Sequence, residues 1–161
     1  MKSALFFVVA AAAVGSLIAF GGAIAHVAAG SPGNAVVIHY TVVGSDDGAV
    51  GPDGKKHDTF RAIDSTNVKV GDTVTIEVAN SDDMPHGMSF PELGINKMIA
   101  AGKDGQPAIT RFTFTATKAG TFRWFCPIPC DGDNNMWAMT PDGAGKGMSQ
   151  DQFMAGYITV A

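Results

Sequence analysis

In NVKVGDTVTIEVAN, residues 67–80, Val68, Val70, Val74, Ile76 and Val78 fall on alternate positions, with Gly71 and Asp72 turning the chain between two segments. Successive side chains of a strand point to opposite faces, so the pattern predicts two strand segments sharing one buried face. ITRFTFTAT, 109–117, alternates again through Phe112 and Phe114. NAVVIHYTVV (34–43), TFRWF (121–125) and the closing AGYITVA are apolar or β-branched runs and predict further strands. GSDDGAVGPDGKKHD, 44–58, is Gly, Asp and Pro punctuation and predicts a long solvated loop. No segment of this part has a helical period, and none repeats. Short strands between Gly-rich turns predict an all-β sandwich.

The start of the chain follows another pattern. SALFFVVAAAAVGSLIAFGGAIA, 3–25, carries no charge and follows Lys2. A helix rising ~1.5 Å per residue over 4–29 can cross a ~30 Å hydrocarbon core. A cleaved signal peptide is the alternative, with Ala23-Ile24-Ala25 as the small-residue cleavage site. Either way Lys2 stays in the cytoplasm and the remainder is exported. The chain thus divides into 1–30, a membrane anchor or signal segment, and 31–161, one domain. Its expected place is the cell membrane, with the domain on the outer (periplasmic or extracellular) side.

Composition narrows the class. Fifteen acidic against eleven basic residues give a net charge of −4, which argues against a nucleic-acid surface. No Ser-His-Asp set, phosphate loop or paired-carboxylate motif stands out, so independent catalysis is not expected. DGDNNMWAMTPD, 131–142, has calcium-loop spacing but lacks the loop's Gly and final Glu, and reads as a polar turn.

The candidate chemistry sits in RWFCPIPC. It holds both cysteines of the chain, Cys126 and Cys130, at the end of a predicted strand. In an exported domain a disulfide is one reading. A shared metal is the other, because the stiff Pro loop opposes narrow disulfide geometry. Upstream, His86 follows Pro85 at a strand start between Met84 and Met88. Thiolate, thioether and one imidazole together select copper over zinc, magnesium or calcium. A Greek-key sandwich clusters its loops at one end, which allows a His loop and a Cys loop to meet.

DMPHGMSF, then FTFTATKAGTFRWFCPIPC, then MAGYITV resemble the cupredoxin domain of cytochrome c oxidase subunit II. They are similar also to the related domain of nitrous oxide reductase. The resemblance covers 67–161 and implies a cupredoxin-like Greek-key sandwich behind an N-terminal transmembrane helix. In that family a binuclear centre uses one His, Cys-x3-Cys, a second His and a Met. Asn134 and Asp151 stand where the second His would fall, and residues 131–150 look inserted. The resemblance therefore implies a mononuclear or modified copper site of His86, Cys126, Cys130 and Met154. The Ile128 carbonyl, Met136 and Met139 are lesser candidates. It further implies one-electron transfer to a haem–copper oxidase subunit I, with cytochrome c or another small redox protein as donor. An acidic insertion would steer a basic donor to the site. The alternatives are a copper chaperone for oxidase assembly, suggested by eight methionines, and a metal-free structural oxidase subunit. Trp124, Phe125 and Trp137 are expected to wall the site, Met84 and Met88 to pack around it, His39 to lie on a strand face, and His57 to be solvated.

Overall fold

The computed structural model describes residues 33–64, 67–131 and 151–161. Ten strands follow in chain order: β1 (Ala35–Val43), β2 (Ala49–Val50), β3 (Lys56–His57), β4 (Thr59–Ala62), β5 (Thr73–Asn80), β6 (His86–Phe90), β7 (Ile95–Ile99), β8 (Ala108–Thr115), β9 (Gly120–Phe125) and β10 (Ala155–Val160). One sheet has the order β4-β1-β5-β8 and the other β10-β9-β6-β7, with β2-β3 a small separate hairpin. β1 and β5 run parallel, from Ala35 opposite Thr73 to Val42 opposite Asn80. The other pairings are antiparallel.

Alternation places the core as expected. β1 buries Ile38, Tyr40 and Val42, and β5 buries Val74, Ile76 and Val78. They meet Phe90, Phe122, Trp124 and Ile158 of the second sheet in one buried cluster. Burial of each large aliphatic or aromatic side chain contributes roughly 1.5–3 kcal/mol, and this cluster is the main source of stability.

Two expectations change, and one strand departs from the alternating pattern of the others. Val70 is half exposed, because the chain turns through Gly71 at φ 97 before β5 begins; Val68 instead forms an isolated bridge to Val160. Positive φ at Gly71 is cheap only because the residue has no Cβ. The 44–58 stretch is not wholly solvated: it carries β2 and β3 and ends in buried His57 and Asp58. Finally, β6 does not alternate, since all five of its residues are buried. Its second face is covered by the Cys loop. A Cβ on Gly87 would lie 2.7 Å from Pro127 Cδ.

Among the described residues no helix is long and apolar enough to cross a membrane. The helix expected over 4–29 lies outside the described residues, as do Met136, Trp137, Met139 and all of 131–150 except Asp131.

Candidate metal centre

His86 opens β6, and Cys126 follows the last residue of β9. The two strands are neighbours in one sheet, with Ser89 opposite Phe125, and this pairing carries the His and Cys loops to one end of the sandwich. A ring nitrogen of His86 and the sulfurs of Cys126 and Cys130 lie within 4.8 Å of one another, and all three residues are buried. The sulfurs are 3.6 Å apart and no disulfide joins them. A disulfide needs about 2.05 Å, so the structure presents two thiols and not the cross-link.

The hydrogen bonds say which imidazole nitrogen is on offer. His86 Nε2 lies 2.7 Å from Asp82 Oδ2. Nδ1 is buried with no hydrogen-bond partner. A carboxylate at Nε2 fixes the proton there, so the neutral ring presents its Nδ1 lone pair. An orphaned buried nitrogen costs roughly 1–3 kcal/mol unless something else satisfies it. Together with two soft sulfurs, this donor set fits a thiophilic transition metal.

The thiols are prepared for that role. The Cys126 thiol is drawn down to about 5, first by the Cys130 thiol donating to it. Burial opposes this, while His86 and the Gly87 N–H, 3.3 Å from Sγ, assist. Cys130 is pushed up, by sharing its proton with Cys126 and then by burial. The two thiols are thus coupled, and the first proton leaves far more readily than the second. Burial pulls the His86 pKa down, but Cys126 and Asp82 outweigh it and the net shift is upward. A bound cation would replace the protons these groups share.

The backbone is equally constrained. The Cys126 N–H donates to the Met154 carbonyl at 2.8 Å, which sets the start of the last strand against the Cys loop. Met154 is buried in the same cluster as both cysteines. The Ile128 carbonyl lies 3.6 Å from Cys126 Sγ. Asp151, one position considered for the missing His, is elsewhere: it pairs with Arg123 at 2.9 Å and accepts from the Tyr157 hydroxyl. Asn134 lies outside the described residues. Among the described histidines only His86 reaches the sulfurs, since His39 pairs with Asp64 on the surface and His57 with Asp53 and Asp131.

The surroundings revise the expected walls. Trp124 is buried edge-on to Tyr40 and Phe60, and Phe60 in turn meets the His86 ring edge-on at 6.0 Å. Phe60 carries no signal in sequence, because β4 is only four residues long and its buried positions do not alternate. Met88 is buried, whereas Met84 is 46 % exposed and lines an open cavity of about 490 Å³ with Asp58, Asp82 and Asp83. Asp58, Asp82 and His86 form a second close group on that side.

Residues 57–134 match the family model of the cupredoxin-like domain, just under half of the chain. No curated protein matches. Among solved structures the chain is similar to reduced rusticyanin at 20 % identity and TM-score 0.47, covering 80 % of this chain and 81 % of that one. Rusticyanin from Thiobacillus ferrooxidans gives 20 % identity and TM-score 0.45, covering 80 % and 79 %. A blue copper oxidase from Nitrosomonas europaea gives 18 % identity and TM-score 0.46, covering 79 % of this chain and 38 % of the oxidase. The described part is an all-β, cupredoxin-like fold.

Proposed function

We propose that this cupredoxin-like domain binds copper and transfers single electrons. The observation that carries the reading is Nδ1 of His86, buried without a hydrogen-bond partner beside the sulfurs of Cys126 and Cys130. Copper held there supplies a one-electron couple between Cu(I) and Cu(II). The chain's own residues do the rest. Asp82 holds the Nε2 proton and orients the ring. The Gly87 N–H donates to Cys126 and takes up part of its charge. Phe60 and Trp124 keep water from the His86 side. Met154 supplies the thioether, a role supported by its burial and by its carbonyl accepting from the Cys126 N–H.

The finer reading is a subunit II-like protein of a haem–copper oxidase. The Cys-x3-Cys loop and the Met154-Ala-Gly156 start of the last strand support it. It would be anchored in the membrane by residues 4–29, receive electrons from cytochrome c or a similar small donor, and pass them to subunit I. The acidic cavity beside His86 supports a basic donor.

Copper titration of the purified chain tests this. One copper per chain, an intense visible absorption and reversible voltammetry are expected. Failure to bind copper overturns the reading. Two coppers per chain sharing one unpaired electron overturn the mononuclear form of the site.

A further inference from the structure

Cys130 is followed at once by a residue whose backbone is unusual. Asp131 has φ 62, the left-handed region that L-residues rarely enter. It is held there from far away in sequence. Its N–H donates to Asp58 Oδ2 at 2.6 Å, and its Oδ1 accepts the Asp58 N–H at 3.2 Å. Its Oδ2 lies 2.9 Å from Nδ1 of His57, and both side chains are fully buried. Asp53 faces the other ring nitrogen of His57 at 3.0 Å. The His57 ring also stands edge-on to Phe153, next to Met154, at a centroid distance of 5.8 Å. One imidazole therefore touches the chain just after Cys130 and just before Met154.

We propose that His57 is a positioning residue for the metal loop: through Asp131 it fixes the backbone that carries Cys130. The proposal deepens the copper reading and rests on it for the metal, but not for the clamp itself. The Cys130 sulfur must stay within reach of Cys126 and His86 for the three to share a metal. The turn at Asp131 would relax toward ordinary φ without its side-chain bonds. His57 and Asp58 supply those bonds from one rigid stretch, with β3 ending at His57 and β4 beginning at Thr59.

Side-chain geometry gives a discriminating test on the full chain. An Asn amide at position 57 places a donor near Nδ1, toward Asp131. A Gln amide places it near Nε2, toward Asp53. Both remove the ring, and Asn leaves the larger cavity, so loss of packing alone would affect His57→Asn at least as much as His57→Gln. Two readouts are used: iodoacetamide alkylation of the metal-free cysteines, which reports opening of the buried loop, and release of Cu(II) to a chelator. For His57→Gln and Asp131→Gly both rates should rise on the order of tenfold. Glycine accepts φ 62, so Asp131→Gly removes the carboxylate without straining the turn. His57→Asn should recover most of the loss, and the double variant His57→Gln/Asp131→Gly should be no faster than either single one. Equal rates for Asn and Gln, or additive effects in the double variant, overturn the proposal. If His57→Gln does not fold, Asp131→Gly carries the same expectation, and a rate unchanged from wild type overturns it. If the wild-type chain takes no copper, the functional reading falls while the alkylation series still decides the role of His57.

Discussion

Two loops of this domain are built alike. In 53–57 and in 82–86 an Asp faces Nε2 of a fully buried His four residues on, at 3.0 Å in the first and 2.7 Å in the second. They part at the other nitrogen. Nδ1 of His57 meets Asp131, while Nδ1 of His86 meets no hydrogen-bond partner and sits with two sulfurs. The same local device thus serves two ends. Where the ring is closed on both sides it acts as a brace. Where one side is left open it offers a ligand, because a buried lone pair without a donor is costly until a cation arrives.

The largest effect should come from destroying the open side. His86→Ala removes the imidazole and should lower copper affinity by more than the 10–100-fold typical of outer-shell changes, with the visible absorption abolished. Added imidazole should restore part of the colour by entering the vacated space. A colour unaffected by His86→Ala would end the distinction between the two loops.

Gly87→Ala probes what keeps the open ring and the Cys loop in register. Its Cβ would fall 2.7 Å from a Pro127 ring carbon, which has little freedom to move. Overpacking of this kind costs roughly 1–3 kcal/mol, so denaturant melts should show that loss and copper should dissociate faster. An unchanged midpoint would show that the two loops move independently.

The smallest effect is on the closed ring and depends on pH. Burial pulls the His57 pKa down, but Asp53 and Asp131 outweigh it and the folded value is raised. The folded state then binds this proton more tightly than the unfolded chain. Its contribution to stability is complete below the ordinary value of ~6.5 and is lost as pH rises through the raised value. Thermal melts of the metal-free protein should fall by on the order of a few degrees across that window. The fall should be shallower in His57→Asn, which cannot carry the proton. A slope identical in both proteins would refute the assignment.

The frame of the sandwich was legible because period-two burial is local: β1, β5, β8, β9 and β10 each announce themselves in a single run. The cluster of His86 with Cys126 and Cys130 was legible for a different reason, namely that soft donors beside prolines at strand ends are uncommon. The brace was not. His57 lies among glycines, lysines and aspartates, a composition that describes a solvated turn. The approach of Asp131 and Phe153, from the segments after β9 and before β10, helps to bury it. Phe60 was hidden likewise, since its neighbours His86 and Trp124 come from other strands. β7 escaped notice because its middle three residues are exposed on a sheet edge and leave no apolar alternation.

The lock between residues 58 and 131 joins positions 73 apart in sequence. Contacts of such span form late and slowly, because the chain must first close the intervening loop against its own entropy. A thiolate pair in a short finger can gather its metal while the rest of the chain is still unfolded. Here the turn that presents Cys130 depends on Asp58, so an ion arriving before that contact forms meets two flexible thiols and no imidazole fixed beside them. Timing of delivery thereby becomes a property of this topology: copper offered to the finished sandwich meets a prepared pocket, and copper offered sooner meets a reducing, misligating chain.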